Sequence, residues 1–153
     1  MHRSAAYNLL ARVRDELEAG RFAVSIVLGG IDQDERIAQA AQVYDVTSEE
    51  LRRCADNLQV TFVLRLFSEF EAVLRDYWKE GLGRSSAPDM RPLMESIARR
   101  RAMSQNDLDM AHEVRLYRNV IIHEKMREGG FDFSECKQRL GMYLRWLPLQ
   151  WGD

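Results

Sequence analysis

The chain has 153 residues and a mass of 17.8 kDa; 46% of the residues are hydrophobic and 30% charged, and the formal net charge is −2. That length makes one domain able to withdraw roughly 70% of its unfolded surface from water, and the composition excludes disorder, collagen and a disulfide-rich scaffold. Near-neutral charge excludes a protein that coats nucleic acid non-specifically, and no apolar run approaches the ~18 residues of a membrane span. The opening Met1-His2-Arg3-Ser4-Ala5-Ala6-Tyr7 lacks the apolar stretch of a signal peptide. Cys54 and Cys136 lie far apart without CxxC spacing, so they read as free thiols in a reducing compartment, and the expected location is the cytoplasm.

From Ser4 to about Ala19, Leu9, Leu10, Val13 and Leu17 recur at helical spacing, and Gly20 is a stop. Phe22 to Leu28 fits a strand by composition and equally fits a helix running on to Gly29-Gly30; periodicity does not arbitrate over residues 21–31. A short helix is expected from about Gln33 to Tyr44. Thr47-Ser48-Glu49-Glu50 reads as a capping box that opens a helix running to about Glu80, before Gly81 and Gly83. Phe62, Leu66, Phe67, Phe70, Val73 and Tyr77 give that helix a broad apolar face, as a central bundle helix needs. Gly81 to Asp89 is a loop.

Helices are then expected from about Arg91 to Arg101, from near Asn106 to Gly129-Gly130, and from about Phe133 to Arg145. The three prolines interrupt none of them, and no internal repeat is present. An all-α, up-and-down helical bundle is the architecture these elements predict. Trp78, Trp146 and Trp151 read as packing residues rather than base-stacking platforms. Cys54 and Cys136 have no catalytic constellation around them.

One motif lies on the penultimate helix, in Leu116-Tyr117-Arg118-Asn119-Val120-Ile121-Ile122-His123-Glu124. An Arg five residues before a His arises by chance about 0.4 times in such a chain, and requiring Asn next lowers that to about 0.01. Arg118-Asn119, three apolar residues and His123 resemble the R-x4-6-H signature of the HEPN superfamily, helical bundles that include many metal-independent ribonucleases. The resemblance covers roughly 47–145. It implies a single helical domain over 1–153, with a HEPN-like core over about 47–145 and an N-terminal helical extension over 1–46. Phe67-Ser68-Glu69-Phe70-Glu71 resembles the acidic position many of these proteins carry upstream. Glu69 and Glu71 compete for that role; Glu71 is preferred, as the residue orienting Arg118.

The chemistry suits these residue types. Metal-free RNA cleavage needs a base for the 2′-hydroxyl, an acid for the 5′-oxygen and positive charge for the phosphorane-like transition state. His123 titrates near neutrality, and Arg118 offers a charged planar fork for phosphate oxygens. Asn119 can orient the phosphate or hold the imidazole. Arg115, Arg99, Arg100, Arg101 and Lys125 are the candidate RNA-backbone contacts. No cofactor is expected. Nor is a metal, because His112 and His123 lie about three turns apart. His112 and Arg115 extend the Asn119–His123 stripe at helical spacing.

Five helical residues advance the direction by about 140°, so on a regular helix Arg118 and His123 do not share a face, whereas Asn119 and His123 do. Either the helix distorts near Ile121 or a second copy brings its own motif alongside; the resemblance implies the second, a homodimer with two motifs lining one cleft. The reading is therefore an endoribonuclease acting on RNA, with roles in prokaryotic toxin–antitoxin or defence systems and an antitoxin or regulatory protein as partner. The alternatives are a non-catalytic HEPN interaction or nucleotide-binding module, and a structural bundle in which the motif is coincidental. HEPN toxins paired with nucleotidyltransferase antitoxins continue as R-x4-H-x-Y; here Glu124-Lys125 follows His123, so control through that tyrosine is not expected. From Arg91 to Arg127 eight basic residues face five acidic ones, a local excess of +3 within the global −2.

Overall fold

The computed structural model describes residues 1–123 and 131–152, with His123 described by its backbone alone. Its regular elements are six α-helices: α1 (Arg3–Gly30), α2 (Glu35–Val43), α3 (Ser48–Asp76), α4 (Met90–Arg100), α5 (Gln105–His123) and α6 (Phe133–Leu144). Among the described residues there is no strand, only an isolated bridge between His2 and Gln150. No helix is long and apolar enough, among those residues, to cross a membrane.

Phe22 to Leu28 is helical, continuing α1 without a break. Its β-branched residues do not decide the matter, because α1 lies antiparallel along α3, which supplies partners that local propensity ignores. The Glu16–Arg65 ion pair and the 2.7 Å bond from Arg21 Nη2 to Gln59 Oε1 fix that pairing. The Thr47–Glu50 capping box forms as read: Glu50 N–H donates to Thr47 Oγ1 at 3.2 Å, and Thr47 N–H donates to Glu50 Oε2 at 2.8 Å. Asp34 and Asp132 cap α2 and α6.

α3 ends differently from a simple glycine stop. Tyr77–Gly81 forms a π turn closed by Leu82 N–H donating to the Tyr77 carbonyl at 3.0 Å. A Cβ on Gly81 would stand 2.4 Å from the Tyr77 ring, so glycine is what lets the turn widen against that ring. Tyr77 in turn meets Trp151 edge to face at 5.4 Å, and Trp151 Nε1 donates to Asp76 at 2.7 Å. The C-terminal strap is also tied to the start of the chain, through Trp151 N–H to the Met1 carbonyl and Arg3 N–H to the Leu149 carbonyl, both 2.9 Å.

The core gathers Leu10, Val13 and Leu17 of α1 with Leu66, Phe67 and Phe70 of α3. α4 adds Leu93, Met94 and Ile97, and α6 adds Leu140, Tyr143 and Leu144. Tyr143 is fully buried, and its hydroxyl is satisfied by the Met94 carbonyl at 2.8 Å. Cys136 is buried and Cys54 exposed, both as free thiols; burial pushes the Cys136 thiol up to about 12. All three tryptophan indoles donate to protein acceptors: Trp78 to Ser86, Trp146 to Asp107 and Trp151 to Asp76.

Candidate functional site

α5 carries the motif on its second half. Ser104 opens the helix, its hydroxyl accepting from Asp107 N–H at 3.2 Å. Asp107 itself is buried. Its Oδ2 accepts 2.7 Å bonds from Arg145 Nη2 and Trp146 Nε1, pinning the start of α5 to the end of α6. Burial would raise the Asp107 carboxyl, but hydrogen bonds from Trp146, Arg145 and Ser104 outweigh it and hold the group below the usual aspartate value. One turn and a half further on, Glu113 is bound by Arg139 of α6, and Arg139 lies 4.2 Å over the Phe131 ring.

On this scaffold α5 runs as regular α-helix through Ile121 to His123. Among the described residues the backbone thus stays α-helical through the motif, without a break that would turn Arg118 and His123 onto one face. Arg118 is half-buried, its guanidinium 5.9 Å from the centroid of the Phe67 ring on α3, and its Nη1 donates to Asn119 Oδ1 at 3.1 Å. Arg118 and Asn119 thus form a linked pair at the α3–α5 seam. The side chain of His123 and all of Lys125 lie outside the described residues, as does the Gly129-Gly130 helix stop. Beside the motif, Leu116, Val120 and Ile122 are exposed apolar side chains at 53%, 39% and 48%.

Glu71, expected to orient Arg118, instead accepts from Arg75 Nε and Nη2 at 2.8 and 2.7 Å. The reason is local: residues four apart on a helix are neighbours, so Arg75 reaches the carboxylate from its own helix. Arg75 also donates to the Pro88 carbonyl at 3.2 Å, which makes the pair a clasp for the loop before α4. Glu69 is half-buried on the same helix.

The basic run on α4 divides. Arg101 is turned inward, its Nε donating to the Trp146 carbonyl at 2.8 Å, while Arg100 is exposed. Arg99 lines a cleft of about 470 Å³ between α4 and α5, with Arg91, Glu95, Asp109 and His112. Arg115 joins this group by donating from Nε to His112 Nδ1 at 3.4 Å. Spacing alone does not single out Glu95, and it marks His112 only as part of a stripe. The signal was the i, i+4 row Arg91–Glu95–Arg99 on one face of α4, which points at His112 only once the helices are paired.

Among the described residues no three His, Cys, Asp or Glu side chains are grouped closely enough to hold a metal ion. Comparison of the chain with protein-family models, with curated proteins and with solved structures gives no match in any of the three.

Proposed function

We propose that this chain is a metal-independent endoribonuclease of the HEPN type, acting through Arg118, Asn119 and His123 at a cleft shared by two copies. The observation that carries this reading is the regular course of α5 through the motif. A regular helix separates Arg118 from His123 by about 140°, so one copy offers phosphate the guanidinium that Asn119 Oδ1 holds, and the second supplies the imidazole. The exposed Leu116 and Val120, four residues apart and adjoining Asn119, are apolar surface that a two-fold partner would cover.

In this scheme Arg118 neutralises the phosphorane-like transition state, held ready by Phe67 and by Asn119 Oδ1. His123 moves the proton between the 2′-hydroxyl and the leaving 5′-oxygen. The requirement for a 2′-hydroxyl makes RNA, not DNA, the substrate. A role as toxin or defence effector, restrained by an antitoxin or regulatory protein, is the biological setting such an activity fits.

The test is cleavage of structured and single-stranded RNA in excess EDTA by wild type, His123→Ala and Arg118→Ala proteins. Cleavage that survives EDTA and disappears in both variants supports the reading. Equal cleavage by wild type and His123→Ala sinks the assignment of His123, and no cleavage by any of them favours a non-catalytic module. In parallel, Leu116→Glu with Val120→Glu should convert a dimer to a monomer in light scattering and abolish cleavage.

A further inference from the structure

We propose that the α4–α5 cleft is a nucleotide-binding site, in which Arg99 and the Nε2–H of His112 take the phosphate of a ribonucleotide. The inference deepens the RNA-contact role given to Arg99 and Arg115 in the ribonuclease reading, but it does not need the Arg118–His123 motif to be active.

The argument starts from one atom. His112 Nε2 is buried and has no hydrogen-bond partner among the described residues. The other ring nitrogen, Nδ1, accepts from Arg115 Nε, so the ring proton sits on Nε2 and makes it a donor. Burial, reinforced by the charge of Arg115, holds the imidazole below its usual value and so keeps it in this neutral form. The closest carboxylate oxygen, Glu95 Oε1, stands 4.0 Å away, beyond hydrogen-bond reach, and is itself held by Arg91 at 2.8 Å. A buried donor without an acceptor costs free energy, which an acceptor-rich ligand would recover.

The surroundings select the ligand. Asp109 is engaged by Gln105 at 2.7 Å and Glu95 by Arg91, and among the described residues neither carboxylate comes within ion-pair distance of Arg99. The lining sets Arg91 and Arg99 against Glu95 and Asp109, both carboxylates already engaged, and Arg115, bonded to His112 Nδ1, adds a positive charge beside the ring. An anion is therefore favoured next to Arg99 and His112. The volume of about 470 Å³ is several times that of a phosphate group and lies in the range of small-molecule sites. Ala98, Met103 and Leu108 supply an apolar wall, and the rim carboxylates accept from hydroxyl or amino donors. An anionic group, sugar hydroxyls and a flat apolar body together describe a nucleotide. On α5, His112 precedes Asn119 by seven residues, about 10 Å along the axis, so a free nucleotide and one within an RNA strand that continues toward the motif fit the same site.

The experiment is isothermal titration of the full-length His123→Ala protein, which leaves RNA intact in the ribonuclease reading. The probes are inorganic phosphate, the four ribonucleoside 5′-monophosphates and a single-stranded RNA hexamer. Binding of a monophosphate with a Kd below about 1 mM is expected, weakened at least about tenfold by Arg99→Glu and by His112→Leu. His112→Gln, which keeps a donor near the Nε2 position, should retain affinity. His112→Leu should change the melting temperature little, since the orphan donor it removes offsets the one long bond from Arg115 that it loses. If the hexamer binds with this same dependence and the monophosphates do not, the nucleotide belongs to a strand. Absence of binding by every nucleotide probe overturns the proposal. So does binding that Arg99→Glu and His112→Leu leave unchanged, or phosphate alone binding as tightly as the nucleotides.

Discussion

Asp107 is 1% exposed, yet its carboxylate is charged and receives bonds from both Arg145 and Trp146. Removing that carboxylate leaves two donors aimed at a buried position without an acceptor. Asp107→Ala should therefore cost about 2 kcal/mol in urea denaturation, of the order expected for orphaned buried partners. The carboxyl sits below its unfolded value of 3.8, so its contribution is present above that pH and lost as acid titrates it in the folded protein. His112 acts in a higher window. Its value lies below 6.5, so above pH 6.5 both states are neutral, and below it the unfolded chain binds the proton first. Stability measured between pH 8 and pH 5 should decline below about 6.5 in the parent and decline less in His112→Gln. The two residues show what spacing conveys. Arg118-Asn119 stands out because its elements are adjacent in sequence. Asp107 counted only as one acidic residue among many, because its partners are 38 and 39 positions away.

Caps and periodicity made most of the helices legible before their packing was known. Thr47 and Glu50 opened α3 where expected, because a capping box satisfies its donors within four residues. Residues 21–31 stayed ambiguous because their composition fits either element, and the pairing of α1 with α3 that begins at contacts such as Arg21–Gln59 is invisible to local spacing. At Glu71 the partner seen is a helix-mate, Arg75, four residues on, a pairing that local spacing allows as readily as a tertiary one. The ends of elements hold two further tests. Ala102 terminates α4 with a φ of 48°, and Met103 N–H closes on the Ala98 carbonyl at 3.0 Å, a left-handed cap made without glycine. Ala102→Gly should stabilise the protein by about 1 kcal/mol in urea denaturation, because the Cβ strain disappears. Gly81→Ala should act in the opposite sense and lower the melting temperature, since the new Cβ meets the Tyr77 ring and, at 3.0 Å, Trp151.

Across the whole molecule, burial is uneven in a way that composition does not reveal. Between Leu17 and Val63 no side chain is fully buried, although this stretch holds the distal half of α1, all of α2 and the first half of α3. Phe22, Ile26, Val43 and Tyr44 are exposed there at 52% to 79%, while Leu66, Phe70, Leu93 and Leu140 are inaccessible at the other end. The two long helices thus share one antiparallel pairing but two levels of support: a core clamped by α4, α5, α6 and the C-terminal strap, and an arm that, among the described residues, meets α2. Local opening free energy follows buried apolar contact, so the arm should open without the core. Hydrogen exchange followed by mass spectrometry should show amides of residues 18–62 exchanging at least about tenfold faster than those of residues 63–76 on the same helix α3. The boundary should fall near Val63, where the first inaccessible side chain of α3 appears. Uniform protection along α3 would contradict this picture of a two-level bundle. Protection of the arm that fades on dilution would locate a partner copy there, and the apolar surface of Phe22 and Ile26 would be what it covers.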